Sequence, residues 1–152
     1  MTSIVIETLI KAPRELCFDL ARDVEIHARS AAFSGERIVE PGRRSGLLGL
    51  GDLITMEGRH FGIRQRFTAK IVEMDRPNRF VDEMVKGAFR RLRHVHEFHE
   101  RDEATLMRDI LEWDVLWLAD LFLKRHMRWF VTKKQQRLKQ IIERRSYPTA
   151  PA

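Results

Sequence analysis

The chain of 152 residues has one cysteine, one tyrosine and no long uninterrupted hydrophobic run. Cys17 cannot form a disulfide within the chain, so packing has to hold the fold, and a lone thiol suits a reducing compartment. The most apolar late stretch, Val115 to Leu123, is far shorter than a bilayer span and is interrupted by Asp120, which excludes it as a transmembrane helix. The opening MTSIVIETLIKAPRE has no basic start ahead of an apolar run and no small-residue cleavage site, so secretion is not indicated and a cytoplasmic location is expected. Glycine clusters in PGRRSGLLGLGD, Pro41 to Asp52. This stretch has no Gly-Lys-Ser/Thr and does not join a strand to a long helix, so it reads as a turn region and not as a phosphate loop.

What is present is a globular balance, with 43% hydrophobic and 33% charged residues, at a length close to the commonest domain size. One domain over residues 1–145 is expected, with 146–152 as a disordered tail. SIVIETLIK, Ser3 to Lys11, alternates Ile4, Ile6, Thr8 and Ile10 on one face and predicts a strand. Pro13 suits the first turn of a short helix to Arg22, and Asp23 can cap a second to about Arg29. Strands are predicted at Glu36–Glu40, Leu53–Glu57, Gly62–Met74, Arg79–Lys86, Ala88–Glu100 and Ala104–Trp113, joined by short connections that include Arg59-His60. From Leu116 the period changes: Leu123, Met127, Phe130, Val131, Leu138, Ile141 and Ile142 fall at helical spacing.

This order predicts an α+β fold in which one curved, seven-stranded antiparallel sheet buries its concave face under the long C-terminal helix. It resembles the helix-grip fold of the START and SRPBCC superfamily, which includes birch-pollen-type allergens, polyketide cyclases and lipid-transfer domains. IKAPRELCFDLARDVEIH (Ile10 to His27) is similar to that superfamily's passage from first strand to helix pair, and DRPNRFVDE (Asp75 to Glu83) resembles its turn after the fourth strand. VKGAFRRLRHVHEFHERDEATLMRDILEW (Val85 to Trp113) is similar to bacterial ligand-binding SRPBCC and cyclase/dehydrase-like proteins. The resemblance implies a ligand cavity between sheet and helix and does not name the ligand.

RHVHEFHE, Arg93 to Glu100, is the densest chemistry in the chain. In a regular strand Leu92, His94, His96 and Phe98 share one face and Arg91, Arg93, Val95 and Glu97 the other, so the two histidines point inward and His99 outward. The next strand places Met107, Asp109, Leu111 and Trp113 inward, and a carboxylate there needs a partner. Asp82 alternates with Phe80 and Met84, and Gln65 shares a face with Phe67 and Ile71. Gln65, Asp82, His94, His96 and Asp109 can thus form a polar patch. It admits three readings: an internal network that orients a ligand, an acid–base pair in which Asp109 orients a histidine, and a metal site. With no nearby cysteine or third inward histidine, no metal and no cofactor is expected. His27, His60 and His126 stand alone and are expected at the surface or the core edge.

The formal net charge is +6, and Lys124 to Arg145 holds nine lysines and arginines against one acid, Glu143. A solvated outer helix face accounts for them, and transient contact with an anionic membrane is compatible. Specific nucleic-acid binding is not expected, because no recognition motif accompanies the charge. The expected partner is a small hydrophobic molecule, lipid-like or polyketide-like, bound by a monomer or homodimer. Its apolar part would meet Phe67, Phe80, Met84, Leu92, Phe98, Leu111, Trp113, Phe122, Met127 and Phe130, and its polar end His94, His96, Asp109, Asp82 or Gln65. The alternatives are a cyclase/dehydrase-type enzyme, with His94, His96 and Asp109 as catalytic candidates, and a basic surface module for anionic membrane or nucleic acid.

Overall fold

The computed structural model describes residues 1–147. In chain order the elements are β1 (Thr2–Ile10), α1 (Arg14–Ala21), α2 (Val24–Ser30), a 3-10 turn (Ala32–Ser34), β2 (Arg37–Val39), β3 (Leu53–His60), β4 (Ile63–Asp75), β5 (Arg79–Lys86), β6 (Arg91–Arg101), β7 (Ala104–Asp114) and α3 (Trp117–Ser146). The expected tail, 146–152, lies mostly outside the described residues; Ser146 closes α3.

The seven strands form one antiparallel sheet in the order β1-β7-β6-β5-β4-β3-β2. Local chemistry starts and stops its elements. Pro13 sits at the N-cap of α1. The Asp23 carboxylate accepts from the amides of Glu25 and Ile26 and starts α2. The β3–β4 hairpin turns at Phe61 and Gly62, both at positive φ, so Arg59 and His60, read from sequence as the connection, extend β3 instead. β6 begins at Arg91 and not at Ala88. In the Pro41–Asp52 loop, Gly42 has φ 115° and a Cβ there would lie 2.4 Å from the Leu53 carbonyl oxygen. The glycine serves close backbone approach, as the turn reading expects.

Two apolar clusters occupy the concave face. One packs α1 and α2 on the sheet through Phe18, Leu20, Val24, Ile26, Phe80, Phe98 and Met107, with Leu138 and Ile142 of α3 joining it. Phe18 meets Phe80 and Phe98 edge-on at centroid distances of 5.4 Å, a favoured aromatic geometry. The other gathers Ile4, Ile6, Leu92, Leu111 and Trp113 under Phe130 and Val131 of α3.

α3 is thus gripped mainly along its second half. Its first turn is tethered where Asp120 accepts hydrogen bonds from the Thr2 hydroxyl and from Trp113 Nε1, the latter at 2.9 Å. Beyond this tether the first half is mostly solvent-facing, and Trp117, Leu118, Leu121 and Phe122 are all more than 70% exposed. No described helix is long and apolar enough to cross a membrane.

Phe98 is a keystone of the first cluster. Phe98→Ala should cost about 3–5 kcal/mol, read as a lower urea midpoint at unchanged slope, and a loss under about 1 kcal/mol would show that the site collapses around the deletion.

Candidate functional site

The two clusters do not fill the concave face completely. Between them lies a cavity of about 350 Å³, walled by β3 to β7, α2 and α3, within the size range of small-molecule sites. Its walls are largely apolar, with Phe67, Ile71, Phe80, Leu92, Leu111, Met127 and Phe130 among them.

Strand register builds its polar end. Antiparallel pairing sets His94 opposite Asp82 and Leu111, and His96 opposite Phe80 and Asp109. β6 carries no bulge against either neighbour, so the period-2 parity read from sequence holds across it. The irregularities fall in the β4–β5 pairing, at Thr68/Ala69 and at Ile71/Glu73.

His96 Nε2 donates to Asp82 Oδ2 at 2.9 Å, and His96 Nδ1 lies 2.9 Å from Asp109 Oδ1. The two histidine rings pack at a centroid distance of 3.8 Å, and Phe80 stacks on His96 at 4.2 Å. His94 Nε2 is 3.5 Å from Asp109 Oδ1, and both atoms are buried without a well-aligned hydrogen bond. The other Asp109 oxygen accepts from the Gln135 side-chain amide, whose carbonyl oxygen accepts from the Thr8 hydroxyl. Asp109 and Gln135 are 4% and 2% exposed, so a polar chain runs through the core from β1 by way of α3 to β7 and β6.

Burial opposes charge on His96, but the Asp109 and Asp82 carboxylates outweigh it and push this imidazole up to about 9. Burial and the neighbouring His96 charge hold His94 below its ordinary value. Burial also opposes ionisation of Asp109, and the two histidines overcome it, keeping the carboxyl well below the usual range. Asp82 is lowered for the same kind of reason, with the His96 hydrogen bond the main counterweight to burial. At neutral pH the site therefore holds an imidazolium between two carboxylates, beside a neutral imidazole. With both His96 nitrogens held by carboxylates, the neutral His94 ring is the one free to donate to or accept from a polar group of a ligand, or to take a proton from it.

A second polar group faces the same cavity. His27 Nε2 is 3.3 Å from Glu36 Oε1 and 3.0 Å from Lys134 Nζ. At the mouth, His60 Nδ1 and His126 Nε2 are 3.0 Å apart. Burial lowers the pKa of His27, His60 and His126, which favours the neutral rings.

Of the residues expected to bind ligand, Gln65, Phe67, Phe80, Asp82, Leu92, His94, His96, Asp109, Leu111, Met127 and Phe130 stand on the cavity wall. Four do not. Phe98 and Trp113 are almost fully buried in the two clusters beyond the ends of the cavity, and Phe122 is 74% exposed on the free half of α3. Met84 packs against the second cluster beside Gly87 and is not part of the wall. His27, His60 and His126, expected at the surface or core edge, line the cavity instead. Lys134 and Gln135 also line it, without having been expected from the sequence. For Gln135 a signal existed, since it falls four residues after Val131 and three before Leu138 on the buried stripe.

A seven-stranded antiparallel sheet gripping a long C-terminal helix, with a polar group at the middle of its concave face, defines a helix-grip protein. The sequence matches the family model for polyketide cyclase/dehydrase and lipid transport over residues 10–139, and the chain belongs to that family, within the SRPBCC superfamily. Among solved structures it is similar to protein TTHA0849 of Thermus thermophilus, with a TM-score of 0.78 and 19% identity over 96% of this chain and 100% of that one. Protein Ms6760 of Mycobacterium smegmatis gives 0.72 and 14% over 92% and 90%. Ginseng major latex-like protein 151 of Panax ginseng gives 0.67 and 13% over 91% and 95%. At these identities the likeness is one of fold. Among curated proteins none matches the chain in sequence.

The raised His96 value has a sign. A group whose pKa is higher folded than unfolded stabilises the fold fully below its unfolded value, and that stabilisation is lost as pH rises through the folded value. For EDTA-treated protein the urea midpoint should therefore fall between about pH 6.5 and about 9. His96→Gln should flatten this part of the profile in a difference plot against wild type, and superimposable slopes would show that His96 is not the group responsible.

Proposed function

We propose that this protein binds one small hydrophobic molecule, lipid-like or aromatic, between the sheet and α3, with its polar end toward His94, His96, Asp82 and Asp109. The observation that carries this reading is the largely apolar cavity of about 350 Å³ with the histidine–aspartate cluster of β5, β6 and β7 on its sheet wall. Apolar walls supply affinity in proportion to the ligand surface they cover, and a few fixed polar groups set orientation and choice. Membership of a family whose description includes both cyclases and lipid transport fits this role. The lone buried thiol, Cys17, fits a cytoplasmic setting.

The test is binding of 8-anilino-1-naphthalenesulfonate and its displacement by fatty acids and by polycyclic phenols. Leu123 lines the cavity from the loosely held half of α3, so Leu123→Trp should fill volume without disturbing the gripped half. Affinity should fall at least about tenfold, equivalent to about 1.4 kcal/mol, with an unchanged urea midpoint. Unchanged affinity in that folded variant would place the ligand elsewhere.

The exposed half of α3 favours one further element, docking on an anionic bilayer for loading or release. Trp117, Leu118, Leu121 and Phe122 are exposed there together with Lys124, Arg125 and Arg128. Apolar side chains can enter the headgroup boundary while lysine and arginine meet the lipid charge. A second copy of the chain is the poorer occupant, because the same basic residues would face each other. Co-sedimentation should be seen with phosphatidylglycerol vesicles and not with phosphatidylcholine. It should weaken with salt and with Trp117→Ser/Phe122→Ser, and no binding at low ionic strength would end this element of the reading.

A further inference from the structure

We propose that Asp82, His94 and His96 form a binding site for one first-row divalent cation, with zinc the best match to the ligand set and Asp109 its supporting carboxylate. A ring nitrogen of each histidine and a carboxylate oxygen of Asp82 lie within 4.8 Å of one another. Two ligand atoms each about 2.1 Å from a tetrahedral ion stand about 3.4 Å apart. Asp82 and His96 are closer than this, at 2.9 Å, so a cation needs a small widening of a pair that already converges and takes the place of the His96 Nε2 proton, which is released to solvent.

The sequence alone argued against a metal because a third nitrogen or sulfur ligand was missing. The fold supplies the third ligand from a neighbouring strand. Asp82 reaches His96 across the β5–β6 ladder, from a position paired directly with His94, and β6 keeps its parity, so all three side chains share the concave face.

Three independent features suit a cation at this place. The first is an orphaned ring nitrogen: His94 Nε2 is buried without an aligned hydrogen-bond partner, a costly condition unless something else engages it. The second is the scaffold behind His96. Imidazoles that hold metals are oriented by a carboxylate on their other nitrogen, and Asp109 stands 2.9 Å from His96 Nδ1 while Gln135 and then Thr8 hold Asp109 from its far oxygen. The third is charge. Asp82 and Asp109 flank His96 at 2.9 Å on either side, and a dication in place of the imidazolium proton neutralises these two carboxylates.

Two imidazoles and one carboxylate leave a tetrahedral or larger coordination sphere incomplete, with the remaining position available to an oxygen atom of a molecule in the cavity. Cysteine-selective metals are disfavoured, because Cys17 is buried in the first cluster away from this site. The inference goes beyond the carrier reading and does not rest on it, since an ion can occupy these ligands with the rest of the cavity empty.

The experiment uses tag-free protein stripped with EDTA and titrated with Zn²⁺ by calorimetry, with bound metal counted by mass spectrometry. One equivalent should bind at micromolar affinity or tighter. His94→Ala and His96→Ala should each weaken binding at least about 100-fold, and Asp109→Asn roughly 10–100-fold, while His99→Ala on the outer face should change nothing. Should the histidine variants fail to fold, Co²⁺ added to the wild-type protein gives a second readout. Intense visible bands of a low-symmetry four- or five-coordinate nitrogen–oxygen site support the proposal, and the faint spectrum of hexaaqua cobalt overturns it. Absence of saturable Zn²⁺ binding, or wild-type affinity in both His94→Ala and His96→Ala, also overturns it. Protein that takes up the naphthalenesulfonate probe but no zinc defeats this inference and leaves the carrier reading intact. The converse result defeats the carrier reading alone.

Discussion

A carboxylate buried in the middle of an apolar sheet face is the constraint around which this structure is organised. Asp109 cannot be solvated where it lies, and removing an ionised group from water costs several kcal/mol unless nearby charges and donors replace the lost hydration. The replacement comes from three other elements: His94 and His96 on β6, Gln135 on α3, and Thr8 on β1 at one remove through Gln135. Breaking any of these leaves a charge or a dipole without compensation in low dielectric, so the seating of α3 on the sheet and the geometry of the histidines are coupled. An all-apolar core of the same volume could be as stable. What the buried network adds is a fixed position for each polar atom facing the cavity.

That network was legible in the sequence to the extent that it follows from a period of two. Leu92, His94, His96 and Phe98 alternate with Arg91, Arg93, Val95 and Glu97, and since β6 contains no bulge, inside and outside could be assigned from spacing. The same logic placed Asp109 inward on β7 and Asp82 on β5. It could not say how far along each strand the cavity extends. Phe98 and Trp113 have the inward parity of wall residues, yet they stand past the ends of the cavity, where α1, α2 and α3 close down on the sheet and convert wall into core.

Residues whose role depends on tertiary contacts alone were not legible. His27, His60 and His126 come from α2, β3 and α3 and carry no local pattern; only the fold brings them to one cavity. Phe122 fails for a different reason. It lies outside the helical repeat, one residue before Leu123, which does line the cavity, and a rotation of about 100° per residue turns it to the solvent side of α3. Gln135 was within reach, because a polar residue on an apolar stripe is the signal that exposed Asp109, and it was there to be read on a helix as well as on a strand.

The uneven burial of α3 also has a geometric side. A helix of 30 residues is about 45 Å long and is joined end to end by one continuous hydrogen-bond ladder. Its first half begins at Trp117 in solvent, while its second half carries Gln135 and Leu138 against the sheet. The Asp120 contacts with Thr2 and Trp113 tie down the region near the free end. One helix therefore carries both the exposed aromatic end at Trp117 and the Gln135 amide that holds Asp109, so the outer surface of the domain and the polar floor of its cavity share a single element.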